Sequence, residues 1–84
     1  MTFYTYMMRN YRGKRSPKGD LADDMFLDRE TFPRNRNVKF DGGYTILRDY
    51  LEEQHACQEC LIVFEQCWTE YVTFEKLKKM TKVD

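Results

Sequence analysis

The stretch that decides the fold is residues 60–74, CLIVFEQCWTEYVTF, which carries the strongest periodic pattern in the chain. Its apolar side chains recur every three or four residues, the spacing of one face of an α-helix. The stripe consists of Cys57, Cys60/Leu61, Phe64, Cys67/Trp68, Tyr71/Val72 and Phe74. The pattern therefore predicts a long final helix from about Cys57 to Lys79, with an aromatic side that must be buried against the rest of the chain.

A second aromatic block, Phe3-Tyr4-x-Tyr6-Met7-Met8, lies at the other end of the sequence. Its spacing predicts a first helix from Thr2 to Tyr11, with the Thr2 hydroxyl as its cap. Aromatic residues make up 15% of only 84 residues. Because these side chains bury a large area each, the two blocks together can close a small core without disulfides.

Two further helices are expected between these blocks. Ser16-Pro17 is a typical helix start and predicts a second helix from Pro17 or Asp20 to Asp28. A third helix is expected from about Tyr44 to Glu53, after Gly42-Gly43. No segment has the pattern of a strand, so the predicted fold is a compact all-α bundle of four to five helices. The predicted core consists of Phe3, Tyr6, Met7, Leu21, Met25, Phe32, Leu47, Leu51, Leu61, Phe64, Trp68 and Tyr71.

Length and composition narrow the class of protein. The 84 residues are enough for one domain, which we expect to span 1–75 and to be followed by a basic tail, 76–84. No apolar run approaches the roughly 20 residues that a membrane span needs. The first residues show no secretory signal, and three cysteines cannot all pair within one chain. We therefore expect a cytoplasmic protein with reduced thiols and no membrane partner.

Charge is segregated along the chain although the formal net charge is zero. Residues 1–19 are basic, and residues 20–31 carry most of their charge as acids. Such blocks are most often solvated faces. Two candidate surfaces still stand out. The first, for a protein partner or a nucleic acid, consists of Tyr11, Arg12, Lys14, Arg15, Arg34 and Arg36; the second, an acidic docking face, consists of Asp20, Asp23, Asp24 and Asp28.

His55, Cys57, Cys60 and Cys67 have the atoms of a zinc site, but their spacing is unfavourable. Residues seven apart on a helix are about 10 Å apart along its axis, too far for one tetrahedral ion. We expect buried or half-buried thiols, with a Cys57-x-x-Cys60 redox pair as the alternative. The sequence contains no nucleophile–base pair in a known arrangement and no phosphate loop, so we predict no enzyme activity and no cofactor.

Several short motifs, which occur in the same order along the chain, resemble the YozE-like family of small bacterial proteins. The fold of that family is similar to the sterile alpha motif (SAM). The matching pieces are Phe3-Tyr4-x-Tyr6-Met7-Met8, Tyr11-Arg12-Gly13-Lys14, Phe32-Pro33, Ile46-x-x-x-Tyr50-Leu51-Glu52 and Phe64-Glu65-x-x-Trp68-x-x-Tyr71. The resemblance implies a SAM-like helical bundle and supplies no catalytic residue. The cysteines, residues 34–39 and the Lys-rich tail depart from the family, which suggests a divergent relative encoded by a phage or another mobile element.

Two functions follow as hypotheses. The first is a non-catalytic module that docks on a protein partner or on a second copy of itself, for instance as a regulatory or counter-defence protein of a mobile element. SAM domains in general bind proteins, although fold analogy alone is weak support. The second is a nucleic-acid-binding module that uses the basic loop after the first helix.

Overall fold

Four α-helices follow one another in this computed structural model, which describes residues 1–34, 40 and 42–80, with side chains up to Lys78. They are α1 (Phe3–Asn10), α2 (Pro17–Leu27), α3 (Gly43–Glu53) and α4 (Gln58–Met80). The described part contains no strand. The predicted all-α fold is therefore confirmed, and each helix begins and ends within one or two residues of the predicted positions. The domain boundary predicted after residue 75 falls inside α4.

Side-chain caps start the first two helices where the sequence places them. The Thr2 hydroxyl accepts a hydrogen bond from the Thr5 N–H at 3.2 Å, and the Ser16 hydroxyl accepts one from the Gly19 N–H at 3.0 Å. Pro17 occupies the first turn of α2, where its missing N–H costs nothing. Each cap satisfies a backbone donor that the helix leaves free, which is typically worth ~1 kcal/mol.

The connection between α3 and α4 is a tight turn centred on His55. The Ala56 N–H donates to the Leu51 carbonyl and the His55 N–H donates to the Glu52 carbonyl, both at 3.0 Å. This pair of hydrogen bonds is the Schellman motif, which ends a helix with one residue in the left-handed region. His55 occupies that position with φ of 57°. Its role here is to end a helix, and its side chain is exposed.

The core lies where α1 packs on α4. Phe3 is fully buried, and its ring centroid lies 5.4 to 5.6 Å from those of Phe64, Trp68 and Tyr71. Tyr44 of α3 closes the cluster against Phe64 and Trp68. The aromatic face of α4 therefore joins α1 to α3 through direct ring contacts.

All but one of the predicted core residues are buried, and Leu61 is half-buried against their cluster. The exception has a simple cause, because Leu61 lies in the first turn of α4, where the bundle opens to solvent. Three further hydrophobic residues are buried, Tyr4, Ala22 and Cys67. Of these, Cys67 stands in the predicted stripe of α4, whereas Tyr4 and Ala22 were missed by the core prediction.

Trp68→Ala should lower the free energy of unfolding by ~3–5 kcal/mol, because the substitution removes a large buried ring and leaves a cavity. Chemical denaturation measures the change. Leu27→Ala is the control. Because Leu27 is 74% exposed, its truncation should lower the free energy of unfolding only slightly. Equal losses in the two variants would contradict the assigned core.

His55→Gly should raise the free energy of unfolding by up to ~1 kcal/mol, because glycine adopts a positive φ without a steric penalty. His55→Ala keeps the penalty and controls for loss of the imidazole. A glycine variant no more stable than the alanine variant would contradict the Schellman turn.

Candidate functional site

The loop from Tyr11 to Ser16, here called the basic loop, is fixed against α2. Gly13 has φ of 81°, a conformation that favours glycine, and its N–H donates to Oδ1 of Asp23 at 3.0 Å. A Cβ atom on Gly19 would lie 1.9 Å from the Lys14 carbonyl oxygen, so only glycine permits this approach. Asp23 therefore holds the loop within the molecule through one of its two carboxylate oxygens.

Glu70 of α4 joins both ends of the basic loop. The Tyr11 hydroxyl donates to Oε1 of Glu70 at 2.5 Å, and Nζ of Lys18 donates to Oε2 at 2.6 Å. Partial burial opposes ionisation of Glu70, but the two hydrogen bonds outweigh it and the pKa of this carboxyl is lowered. The hydrogen bond to Glu70 in turn raises the pKa of Tyr11 and of Lys18.

This network gives Tyr11 a structural role. Its ring also packs on Tyr6, with centroids 6.5 Å apart, and the residue is half-buried. Tyr11 thus ties the loop to α4, and these contacts cover part of the ring that stacking on a nucleic-acid base would need. Its part in partner binding stays a prediction.

Three of the cations predicted for partner binding each lie near a different aromatic ring. The Arg12 guanidinium lies 3.4 Å from the centroid of the Phe26 ring, and Lys14 lies 5.7 Å from that of Tyr11. Arg34 lies 5.4 Å from the Tyr4 ring, while Arg15 is exposed and Arg36 lies outside the described residues.

Sequence reasoning missed Arg29 as a member of the basic surface, because it stands among acids in the sequence. Its guanidinium lies 4.3 Å from the Phe26 centroid, so Phe26 contacts two arginines. Arg29 lies in the turn after α2, where its N–H and its guanidinium both donate to the Phe26 carbonyl. The three-residue spacing of Phe26 and Arg29 was the only signal of this turn in the sequence.

A groove of about 490 Å³ lies between α2 and the first turns of α4. Apolar side chains, Leu21, Ile62 and Val63, line it, and Ile62 is 50% exposed. Asp20, Asp24 and Glu59 form an acidic rim. In the part of the chain that the structure describes, no hydrogen bond or ion pair engages these three carboxylates. We call this feature the acid-rimmed groove.

The predicted acidic docking face is therefore divided. Asp20 and Asp24 line the acid-rimmed groove, while Asp28 lines a neighbouring cavity of about 250 Å³ that Asp24 also borders. The walls of the groove were missed, because Ile62 and Val63 lie beside the core stripe of α4. Their apolar character outside the core stripe was the signal in the sequence that could have indicated a second apolar surface on α4.

The four residues considered for zinc, His55, Cys57, Cys60 and Cys67, do not form one cluster. Cys57 is exposed and Cys60 half-buried at the start of α4, but Cys67 is buried in the core. Burial raises the pKa of the Cys67 thiol to about 11, which keeps it protonated at neutral pH. Among the described residues, no three His, Cys, Asp or Glu side chains are placed to hold a metal ion. None of the described helices is long and apolar enough to cross a bilayer.

Glu70→Gln should lower the free energy of unfolding by ~1 kcal/mol near neutral pH, because it weakens two hydrogen bonds to a half-exposed carboxylate. The lowered pKa sets the pH dependence. The stabilisation is complete well above the ordinary Glu pKa of 4.5 and disappears as the pH falls through the lower folded-state value. Denaturation at neutral and acid pH measures both effects. Glu53→Gln, on the exposed end of α3, is the control, and an equal pH dependence in both variants would contradict the network.

Several known proteins are similar to this chain over most of its length. A UPF0346 protein of Staphylococcus saprophyticus subsp. saprophyticus is 33% identical over 75 residues, which cover 89% of this chain and 93% of the relative. A UPF0346 protein of Staphylococcus aureus (strain Mu3) has the same identity and coverage, and one of Staphylococcus haemolyticus is 31% identical over 75 residues. These names state no activity. No solved structure gives a significant match.

The family comparison tests the resemblance seen in the sequence motifs. The profile described as "YozE SAM-like fold" matches residues 2–73, which include all four helices except the last turns of α4. The relatives above are staphylococcal proteins, so the predicted mobile-element origin gains no support from them. The match confirms the predicted family: the chain belongs to the YozE SAM-like family.

Proposed function

We propose that this protein is a non-catalytic docking module that holds a protein segment in the acid-rimmed groove. The observation that carries the proposal is the combination of apolar walls and a rim of three carboxylates without partners in the described structure. Apolar walls stabilise a bound apolar side chain by removing it from water. The carboxylates select a segment that also carries Lys or Arg, because opposite charges on the two surfaces steer and orient the encounter.

The negative charge of the groove disfavours one class of partner, nucleic acids. Asp20, Asp24 and Glu59 would repel the phosphates of a nucleic acid, so this surface favours a basic polypeptide. A second copy of the chain is one partner of that kind, since its basic loop presents Lys14 and Arg15 to solvent. This is the self-associating form of the proposal. It is tested by light scattering at low and high salt, where a monomer at every concentration would remove it.

Nucleic-acid binding is the second candidate, and the observation that favours it is the pair of arginines on Phe26. These arginines lie near the C-terminal end of α2, and the exposed Lys14 and Arg15 precede its N-terminal end. The four side chains together supply four cations. Such binding would weaken steeply with salt, since each neutralised phosphate releases counterions. Titration of labelled single- and double-stranded DNA and RNA at low salt tests this candidate, and no binding would exclude it.

The setting is also a proposal. We propose that the protein acts in the bacterial cytoplasm, and the support is the bacterial origin of its staphylococcal relatives. A regulatory or counter-defence role on a mobile element is one form the docking function would take. It rests on the departures noted in the sequence, the cysteines and the Lys-rich tail, and not on the relatives.

Affinity capture from the native host should recover a protein partner that survives nuclease and is lost from two groove variants. Asp20→Asn/Asp24→Asn removes rim charge, and Ile62→Ser removes an exposed part of the apolar wall. Loss of a hot-spot side chain typically costs about 2 kcal/mol or more, roughly 30-fold in affinity. Loss of the rim charges should mainly slow association and reduce its dependence on salt. Mass spectrometry of the captured material measures retention of the partner.

Matched controls lie on α3, where Asp49→Asn/Glu53→Gln and Ile46→Ser make the same changes on exposed residues. These variants should retain the partner, and circular dichroism should show that all four variants fold. A partner retained equally by groove and control variants would contradict the proposed site. A nuclease-sensitive set of nucleic-acid-binding proteins, lost on Lys14→Glu/Arg15→Glu, would favour the second candidate.

A further inference from the structure

Two of the three cysteines meet at the start of α4. Cys57 immediately precedes the helix, and its carbonyl accepts the hydrogen bond of the Leu61 N–H at 3.1 Å. The Cys60 N–H donates to Sγ of Cys57, with an N···S distance of 3.4 Å. The Cys57 thiol therefore caps the first turn and lies directly over the residue that carries the second thiol.

This placement suits a disulfide. Side chains three residues apart on a helix have Cβ atoms roughly 5–6 Å apart, and a disulfide needs about 3.8 Å between Cβ atoms and about 4.4–6.8 Å between Cα atoms. Closing the difference takes a small movement at one end. Cys57 lies at the start of the helix, so its movement disturbs only the first-turn hydrogen bonds that it accepts from the Leu61 and Cys60 N–H groups and leaves the rest of α4 in place.

Both thiols are accessible from outside the bundle. Cys57 is exposed and Cys60 is half-buried, and both line the acid-rimmed groove and the neighbouring cavity. Cys67 differs in exposure, because it is fully buried in the core cluster. Burial raises its pKa to about 11, and burial also raises the pKa of the half-buried Cys60. The chain thus contains two accessible thiols and, seven residues beyond Cys60, a buried thiol that serves as an internal control for reactivity.

We propose that Cys57 and Cys60 form a dithiol site that converts reversibly to an intramolecular disulfide by exchange with a low-molecular-weight disulfide. The Cys57 thiolate attacks one sulfur of the small disulfide, whose S–S bond breaks and releases one small thiolate. The Cys60 thiolate then attacks the Cys57 sulfur of the mixed disulfide and releases the second small thiolate. The protein loses two electrons to the small disulfide, and its two thiol protons end on the two released thiols. This site does not depend on the proposed docking function.

The test exposes the purified full chain to glutathione buffers of increasing oxidised-to-reduced ratio, followed by an acid quench, alkylation and peptide mass analysis. We expect a Cys57–Cys60 disulfide within a monomer, which returns to two thiols when reduced glutathione is in excess. Cys67 should be alkylated in the folded chain ~10-fold more slowly than Cys57 or more, because buried thiols are inert.

Two variants separate the site from general thiol reactivity. Cys60→Ser has no second thiol to complete the exchange, so it should accumulate a glutathione adduct on Cys57. Cys67→Ser should form the same disulfide as the natural chain over the same range of ratios. Circular dichroism before the reaction checks that both variants are folded.

Three outcomes would overturn the proposal. The natural chain would accumulate the Cys57 adduct as Cys60→Ser does, or it would form disulfides between molecules, or it would stay reduced across the whole range. Each shows that the two thiols do not act as a pair. None of these outcomes bears on partner capture by the groove, so the two proposals fail separately.

Discussion

The structure depends on one packing interaction, the insertion of Phe3 from α1 between aromatic rings of α4. An isolated helix shorter than about 12–15 residues is marginal in water, and α1 has eight residues. Its stability must therefore come from burial against Phe64, Trp68 and Tyr71. The same rings hold α3 through Tyr44, so α4 serves as the common support of the bundle.

This support also determines the two surfaces. Glu70 of α4 holds the basic loop through Tyr11 and Lys18, and the loop in turn fits on α2 only because Gly19 lacks a side chain. At the other end of α4, the first turns lie beside α2 and leave the acid-rimmed groove between them. The dithiol of Cys57 and Cys60 lines the same groove. The proposed binding site and the proposed dithiol site therefore share the end of α4 where the core gives way to solvent.

The fold was largely predictable from the sequence, whereas the site was not. Helical spacing, Thr2 and Ser16-Pro17 locate the helices because they act locally, and the aromatic stripe locates the core. The site depends on contacts between residues distant in sequence. Glu70 looks like one acid of a solvated face, yet it bonds to residues 52 and 59 positions away. Such pairings follow from how the helices cross, which periodicity does not determine.

The most direct test of the central claim is site-specific photo-cross-linking in the native host from a probe at Gln66, which lines the groove. The same probe at Thr45, an exposed position on α3, is the reference. Our account predicts a discrete protein adduct from Gln66 that is absent from Thr45 and survives nuclease. Equal adducts from both positions, or nucleic acid as the main adduct, would contradict the claim that the acid-rimmed groove holds a protein partner.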